Sequence, residues 1–125
     1  MSDPVKRYSK AILSQAKEVR YLTEAICGAV DKATAEWLPK AILANANLIC
    51  DNIRKVTRTQ QQSLRVAYTC EIKSAANFLK GQAHISTSLT DIEQEYANLW
   101  EAAIIKFRML YIQWTHALRS RELQS

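Results

Sequence analysis

Apolar residues recur along this chain at spacings of three and four, the period of a helix that buries one side. The first stretch shows the pattern most clearly, because eight of its nine seam positions are apolar. These positions are Val5, Tyr8, Ile12, Gln15, Val19, Leu22, Ile26, Ala29 and Ala33. Only two Gly and two Pro occur among the 125 residues, so few points would interrupt a helix. The pattern predicts an all-α chain of long helices.

Four helices are predicted, and their approximate ranges are 4–32, 38–57, 60–83 and 90–120. Thr59 with Gln62, and Thr90 with Glu93, have the spacing of the capping boxes that start helices. The connections are short, and short connections make consecutive helices antiparallel neighbours. We therefore predict one domain, residues 1–125, folded as an up-down-up-down antiparallel four-helix bundle.

The two middle helices each have one apolar face. The second helix is expected to bury Ile42, Ala46, Ile49, Ile53 and Val56. The third helix is expected to bury Leu64, Ala67, Tyr68, Ile72, Ala75 and Leu79. Asn45, Asn47 and Asn52 are poor helix formers within the second helix. Each is either exposed, which is the commoner outcome, or buried where it fixes the register of the bundle.

The fourth helix differs from the others because it carries two apolar stripes. The first stripe consists of Ile92, Tyr96, Leu99, Ala103 and Leu110. The second stripe consists of Trp100, Ile104, Phe107, Tyr111, Trp114 and Leu118. One stripe can face the core, whereas a large exposed apolar stripe would need another cover. We expect self-association, with Trp100, Ile104, Phe107, Tyr111 and Trp114 forming the interface of a homo-oligomer. The alternative is a wide core-facing surface with a few exposed aromatic residues.

Charge adds a functional prediction to this fold, since the chain has a net charge of +5. Residues 1–17, 50–68 and 106–125 each carry four cations and one acid, a net of +3 apiece. An up-down-up-down bundle brings these three segments to one end, which we call the basic pole. Such a pole favours a polyanion, because an arginine fork donates two hydrogen bonds to one phosphate. The candidate nucleic-acid-binding residues are Arg7, Lys10, Arg54, Lys55, Arg58, Arg65, Arg119 and Arg121. The alternative is a solvated charged face that only keeps the protein soluble.

No motif in the chain indicates catalysis. There is no Gly-rich phosphate loop, and His84 and His116 have no neighbouring Cys or Ser in a recognisable arrangement. We therefore predict no catalytic residue, no metal and no cofactor. Cys27, Cys50 and Cys70 lie in apolar helical stretches and are expected to be buried thiols in a reducing cytoplasm. No apolar run of about 18 residues is present, so no membrane span is expected.

Several short motifs in the second half of the chain carry a family resemblance. They are Ile85-Ser86, Tyr96, and Arg108-Met109-Leu110 followed by Trp114. With four short-looped helices, a basic surplus and a length near 125, they make residues 38–118 resemble a family of small bundle proteins. These are the accessory variability determinants of diversity-generating retroelements, with the related proteins encoded in ribosomal RNA intervening sequences. The chain departs from the family at Tyr111-Ile112-Gln113, where the family typically has two glycines.

The resemblance implies a bacterial or phage-encoded protein that forms a ring-like homo-oligomer, a pentamer. Its positive surface would bind RNA or DNA, and it would contact a reverse transcriptase and support cDNA synthesis without catalysing it. Our leading hypothesis is thus a cytoplasmic, non-catalytic, oligomeric nucleic-acid-binding accessory protein. With no recognition motif for bases, its binding should be directed at the backbone.

Two other functions stay open at this point. The chain could be a protein-binding module (an inhibitor, an immunity protein or an adaptor) that docks through the fourth helix. Binding to a membrane surface is the weaker reading, because the apolar stripe of the first helix is already buried by a bundle.

Overall fold

The computed structural model describes residues 3–30, 37–82 and 91–123, and these contain helices and no strand. The helices are α1 (Pro4–Val30), α2 (Trp37–Arg58), α3 (Gln62–Gly81) and α4 (Asp91–Leu123). Each predicted helix is present, and its ends lie within three residues of the predicted ones. The all-α prediction is therefore confirmed.

The four helices contact one another in a ring. Within the described residues, α1 packs against α2 and α4, and α3 packs against the same two helices. The Cα atoms of the diagonal pairs, α1 with α3 and α2 with α4, stay more than 8 Å apart in these ranges. This pattern is compatible with a four-helix bundle around one core. Of the four neighbouring pairs, α3 and α4 have the least extensive contact.

The core follows the predicted seams closely in α1 and α2. In α1 the seam positions from Val5 to Ile26 are buried, except that Tyr8 is half-buried. In α2 all five predicted core residues are buried. In α3, however, Leu64 and Ala67 are exposed, and the prediction is wrong for both. Neither residue belongs to the core cluster, and Tyr68 is only partly buried against it.

The second stripe of α4 lies in the core of the single chain. Trp100, Ile104, Phe107 and Trp114 are at most 2% exposed. The prediction that these four form a subunit interface is therefore wrong, because no second copy can contact them. Burying the stripe with the larger aromatic side chains removes more apolar area from water, which is the favourable choice. Within the first stripe, Tyr96 and Leu99 are exposed instead.

Three polar contacts fix the position of α4 against α1. In each of them a buried or half-buried donor finds an oxygen on the other helix. The pairs are Trp114 Nε1 to Ser9 Oγ at 2.9 Å, Gln15 Nε2 to the Ala103 carbonyl at 3.0 Å, and Trp100 Nε1 to Thr23 Oγ1 at 2.9 Å. A buried indole N–H without an acceptor would be costly, so these contacts restrict α4 to one register.

Asn52 provides a buried polar contact between α2 and α3. Its side chain is 2% exposed, and Nδ2 donates to Glu71 Oε2 at 2.6 Å and to the Tyr68 carbonyl at 3.4 Å. Asn47 is exposed and Asn45 is half-buried. Asn52 is therefore buried, which is the less common of the two outcomes predicted for the asparagines.

The turn between α2 and α3 differs from the predicted capping box. α3 begins at Gln62, and its N-cap residue Gln61 makes no side-chain capping bond. Thr59 Oγ1 instead accepts from the Gln61 backbone N–H at 3.2 Å, and the Thr59 carbonyl accepts from Arg65 Nε at 3.1 Å. Thr59 thus closes the turn rather than capping α3. The second predicted box begins at Thr90, which lies outside the described residues, as do Ala33, His84 and Ile85-Ser86.

Replacing Trp114 with alanine tests whether this side chain belongs to the core or to an interface. We expect the free energy of unfolding to fall by about 3–5 kcal/mol, because the change leaves a cavity in the core. The control is Met109→Ala on the same helix, where the side chain is 62% exposed and the expected change is below about 0.5 kcal/mol. Urea unfolding measures both. A normal stability with a lower oligomer mass in light scattering would instead restore the predicted interface.

Candidate nucleic-acid interface

A groove follows the line where α3 and α4 separate. It consists of two adjoining cavities, of about 630 and about 190 Å³, and we call their combined lining the α3–α4 groove. The two cavities share Lys73 from α3 and Tyr111, Thr115 and Arg119 from α4. The limited contact between these helices explains why open space is left here.

Five cations line the α3–α4 groove. They are Arg65, Lys73 and Lys80 on α3, and Arg108 and Arg119 on α4. None of the described residues that line the groove is an Asp or a Glu. A concave surface lined by charges of one sign concentrates the electrostatic potential and attracts ions of the other sign. The described lining of the groove therefore carries charge of one sign, which is positive.

The α4 side of the groove also carries an exposed apolar row, which consists of Ile105, Met109 and Ile112. These side chains are 43%, 62% and 67% exposed. They occupy positions i, i+4 and i+7 of α4, so they lie next to one another on one face. A ligand of this groove can thus bury apolar surface while it pairs with the cations.

Tyr111 joins the two helices within the groove. Its hydroxyl donates to the Thr69 carbonyl on α3 at 2.8 Å, and its ring packs edge-on against Trp114 with the centroids 6.4 Å apart. Burial raises the pKa of the Tyr111 phenol, the neighbouring Cys70 raises it further, and Arg119 opposes the shift. The side chain was predicted to belong to a subunit interface, but it is half-buried and holds α3 to α4.

None of the three cysteines, all of which lie in described helices, is in a disulfide, and they occupy three different environments. Cys50 is buried in the core, and burial raises the pKa of its thiol. Cys27 is half-buried, with its Sγ donating to the Pro39 carbonyl at 3.3 Å. Cys70 is exposed and lines the smaller cavity of the groove, so the prediction of burial is wrong for this residue.

The segments of the predicted basic pole do line one cavity, of about 440 Å³. Lys6 comes from the start of α1, Val56 from the end of α2, Arg65 from the start of α3, and Arg121 from the end of α4. Asp3 lines it too, and its carboxylate is 3.6 Å from the Arg121 guanidinium. An acid is thus part of this surface.

Other cations predicted for the pole also contact their own chain. Arg54 pairs with Asp51 at 3.5 Å. Lys55 lies 5.5 Å from the centre of the Tyr68 ring, and Arg7 has the same kind of contact, at 5.3 Å, with Tyr8. Lys10 and Arg58 are exposed. These contacts orient Arg7, Arg54 and Lys55 against their own chain, and the net charge of +3 for residues 50–68 already includes Asp51.

Of the eight predicted binding residues, only Arg65 and Arg119 line the α3–α4 groove. The sequence prediction did not include Lys73, Lys80 or Arg108. Helical spacing could have indicated them, because Lys73 and Lys80 are seven residues, about two turns, apart on α3. Counting charge by chain segment hid this arrangement, since the five cations belong to two separate helices.

Within the described ranges, no three His, Cys, Asp or Glu residues come together as a metal site requires. The described helices also contain no apolar stretch long enough to cross a bilayer. In comparisons with known proteins, no family model matches the chain, and no curated protein or solved structure matches it at a significant level. The resemblance to the accessory variability determinants stays a prediction.

The raised pKa of Tyr111 predicts a dependence of stability on pH. The folded state holds the phenolic proton more tightly than the unfolded chain, whose tyrosines titrate near pH 10. This tighter proton binding stabilises the folded state. The contribution is fully present below about pH 10 and is lost as the pH rises through the pKa of the Tyr111 phenol in the folded protein. Tyr111→Phe should therefore show a shallower loss of unfolding free energy above about pH 10 than the wild type, measured by urea unfolding. Tyr21→Phe, which removes an exposed phenol on α1, is the control; equal slopes in the two variants would contradict the prediction.

Thiol labelling tests the environments of the cysteines. In the native protein, Cys70 should react with a maleimide at once, because its side chain is exposed at the α3–α4 groove. Cys50 should react only after unfolding, because it is buried and its thiol pKa is raised. Mass spectrometry of the labelled peptides distinguishes the two sites. Rapid native labelling of Cys50 would contradict the core described above.

Proposed function

We propose that the bundle runs up-down-up-down with antiparallel neighbours. Contacts between α1 and α4 support this, because positions that rise along α1 pair with positions that fall along α4. The pairs are Asp3 with Arg121, Ser9 with Trp114, Gln15 with Ala103, and Thr23 with Trp100. The α2–α3 pair shows the same inverse order. Asn52 contacts Glu71, whereas Val56, which comes later in α2, shares a cavity with Arg65, which comes earlier in α3.

We propose that the protein is a non-catalytic nucleic-acid-binding protein that holds the sugar–phosphate backbone in the α3–α4 groove. The observation that carries the proposal is the set of five cations with no acid among the described lining residues. Lys and Arg that neutralise phosphates release condensed counterions, which supplies most of the affinity for a backbone-directed ligand. Arg108 and Arg119 add the planar forks that suit phosphate oxygens.

We further propose that the protein works in the cytoplasm as an accessory to a reverse transcriptase. This finer role is supported by the resemblance in Arg108-Met109-Leu110 and Trp114. A homo-oligomer remains part of the proposal, but it requires a surface other than the aromatic stripe of α4, since that stripe lies in the core.

The second candidate function is a protein-binding module that docks through α4. The observation in its favour is the exposed apolar row Ile105, Met109 and Ile112, with Arg108 and Arg119 beside it. A partner with an acidic, partly apolar surface would suit such a face. Size-exclusion chromatography with and without RNA separates the two functions, because only the nucleic-acid-binding protein shifts with RNA.

Charge reversal in the groove tests the nucleic-acid proposal. We expect Lys73→Glu with Arg119→Glu to weaken RNA binding at least about tenfold, and to lower the slope of log K against log salt by about 0.7 for each lost phosphate contact. The matched control is Lys17→Glu with Lys40→Glu, which makes the same charge change at exposed positions outside the groove. Fluorescence anisotropy across a salt series measures both quantities.

A second variant separates the groove from the turn between α2 and α3. Arg54→Glu, Lys55→Glu and Arg58→Glu together should weaken binding no more per charge than the control does. A larger loss in this triple variant than in the groove variant would move the site to the basic pole. If the wild type binds no RNA or DNA at low salt, the nucleic-acid proposal is wrong.

A further inference from the structure

We propose that the α3–α4 groove binds a single strand of nucleic acid in preference to a duplex. This inference rests on the proposed function and names the form of nucleic acid that the same surface takes. It starts from the apolar row Ile105, Met109 and Ile112, whose side chains lie among the groove cations and remain exposed. Backbone binding alone gives these side chains no partner.

The cations are placed along both sides of the groove. On α3, Arg65 and Lys80 are fifteen residues apart, which is about 22 Å of helix. On α4, Arg108 and Arg119 are eleven residues apart, which is about 16 Å. The two rows therefore flank the α3–α4 groove along its length. Its length allows contact with several successive phosphates of one strand.

The apolar row selects between the two forms of nucleic acid. A duplex stacks its bases inside and presents mainly phosphates and sugars to a flat or narrow surface, so Ile105, Met109 and Ile112 would stay in water. A single strand carries its phosphates and its unpaired base faces together. With the phosphates on Lys73 and Arg119, the bases can cover the apolar row and bury it. The preference follows from this additional buried area.

The groove predicts little sequence selectivity for this strand. Aliphatic side chains contact the face of any base, and Tyr111 is not a free stacking platform because its ring packs on Trp114 and its hydroxyl is bonded to α3. Asn77 and His116 line the same cavity and can donate or accept hydrogen bonds at base edges. Any preference among bases should therefore come from these two side chains.

The test compares a single-stranded RNA, a duplex RNA of the same sequence, and polyglutamate, by fluorescence anisotropy at several salt concentrations. The wild type should bind the single strand more tightly than the duplex. Met109→Ser with Ile112→Ser should weaken the single strand about fivefold or more through lost apolar contact, and leave the duplex affinity and both salt slopes unchanged. The control Leu99→Ser changes a side chain that is 56% exposed on the same helix but outside the groove, and it should alter neither affinity.

Protection of Cys70 locates the strand independently of affinity. Cys70 lines the groove, so the single-stranded RNA should slow its alkylation, and a saturating duplex should slow it less.

Each contrary result has a separate meaning. Equal or tighter binding of the duplex, or equal effects of the serine variants on both forms, overturns the single-strand inference and leaves nucleic-acid binding in place. Tight binding of polyglutamate that depends on Met109 and Ile112 overturns it in favour of an acidic protein partner. No binding of either RNA form overturns the proposed function itself.

Discussion

The burial of two tryptophans of α4 against α1 determines the rest of the surface. Trp100 and Trp114 combine a large apolar area with one N–H that needs an acceptor, and Thr23 and Ser9 supply it. Both conditions are met at one rotation of α4 about its axis. A shift of one residue would turn the helix by about 100° and take the indoles out of the core. The identity of every exposed side chain on α4 follows from this constraint.

The rotation of α4 and the register of α3 together create the groove. With its tryptophans facing α1, α4 directs Arg108 and Arg119 towards α3 and leaves Met109 exposed. The hydrogen bond between Asn52 and Glu71 joins α3 to α2. The Glu71 carboxylate therefore contacts α2 and does not line the groove. On α3 the one described acid is therefore kept out of the groove by its contact with α2.

The helices and most of their seams could be predicted from the sequence, because helical periodicity is a local property. The orientation of α4 could not, because its two stripes have the same spacing and periodicity does not say which one faces the core. The choice depended on partners in α1, such as Thr23 and Ser9, that only the folded chain brings close. The burial of Asn52 likewise depended on Glu71, nineteen residues away in the chain.

The candidate site was harder to predict than the fold for a related reason. Its cations belong to two helices, and they form one surface only because α3 and α4 separate along that line. Arg65 and Arg119 were found because they lie in charged segments, whereas Lys73 and Lys80 stand apart in sequences of low net charge. Charge counted along a chain does not reveal a face that two helices share.

The interface between α3 and α4, which has the least extensive contact of the four, is also the one that deforms most easily. Among the described residues, the Tyr111 hydroxyl donates to the Thr69 carbonyl across this interface, and such a bond contributes on the order of 1 kcal/mol. The α1–α4 pair, by contrast, is joined by three polar contacts and by the tryptophan core. A small change in the distance between α3 and α4 therefore breaks fewer interhelical contacts than the same change at the other three neighbouring pairs. A larger separation would open the core, because Ile72 and Leu79 of α3 are fully buried. The width of the groove can therefore change only slightly while the fold stays intact.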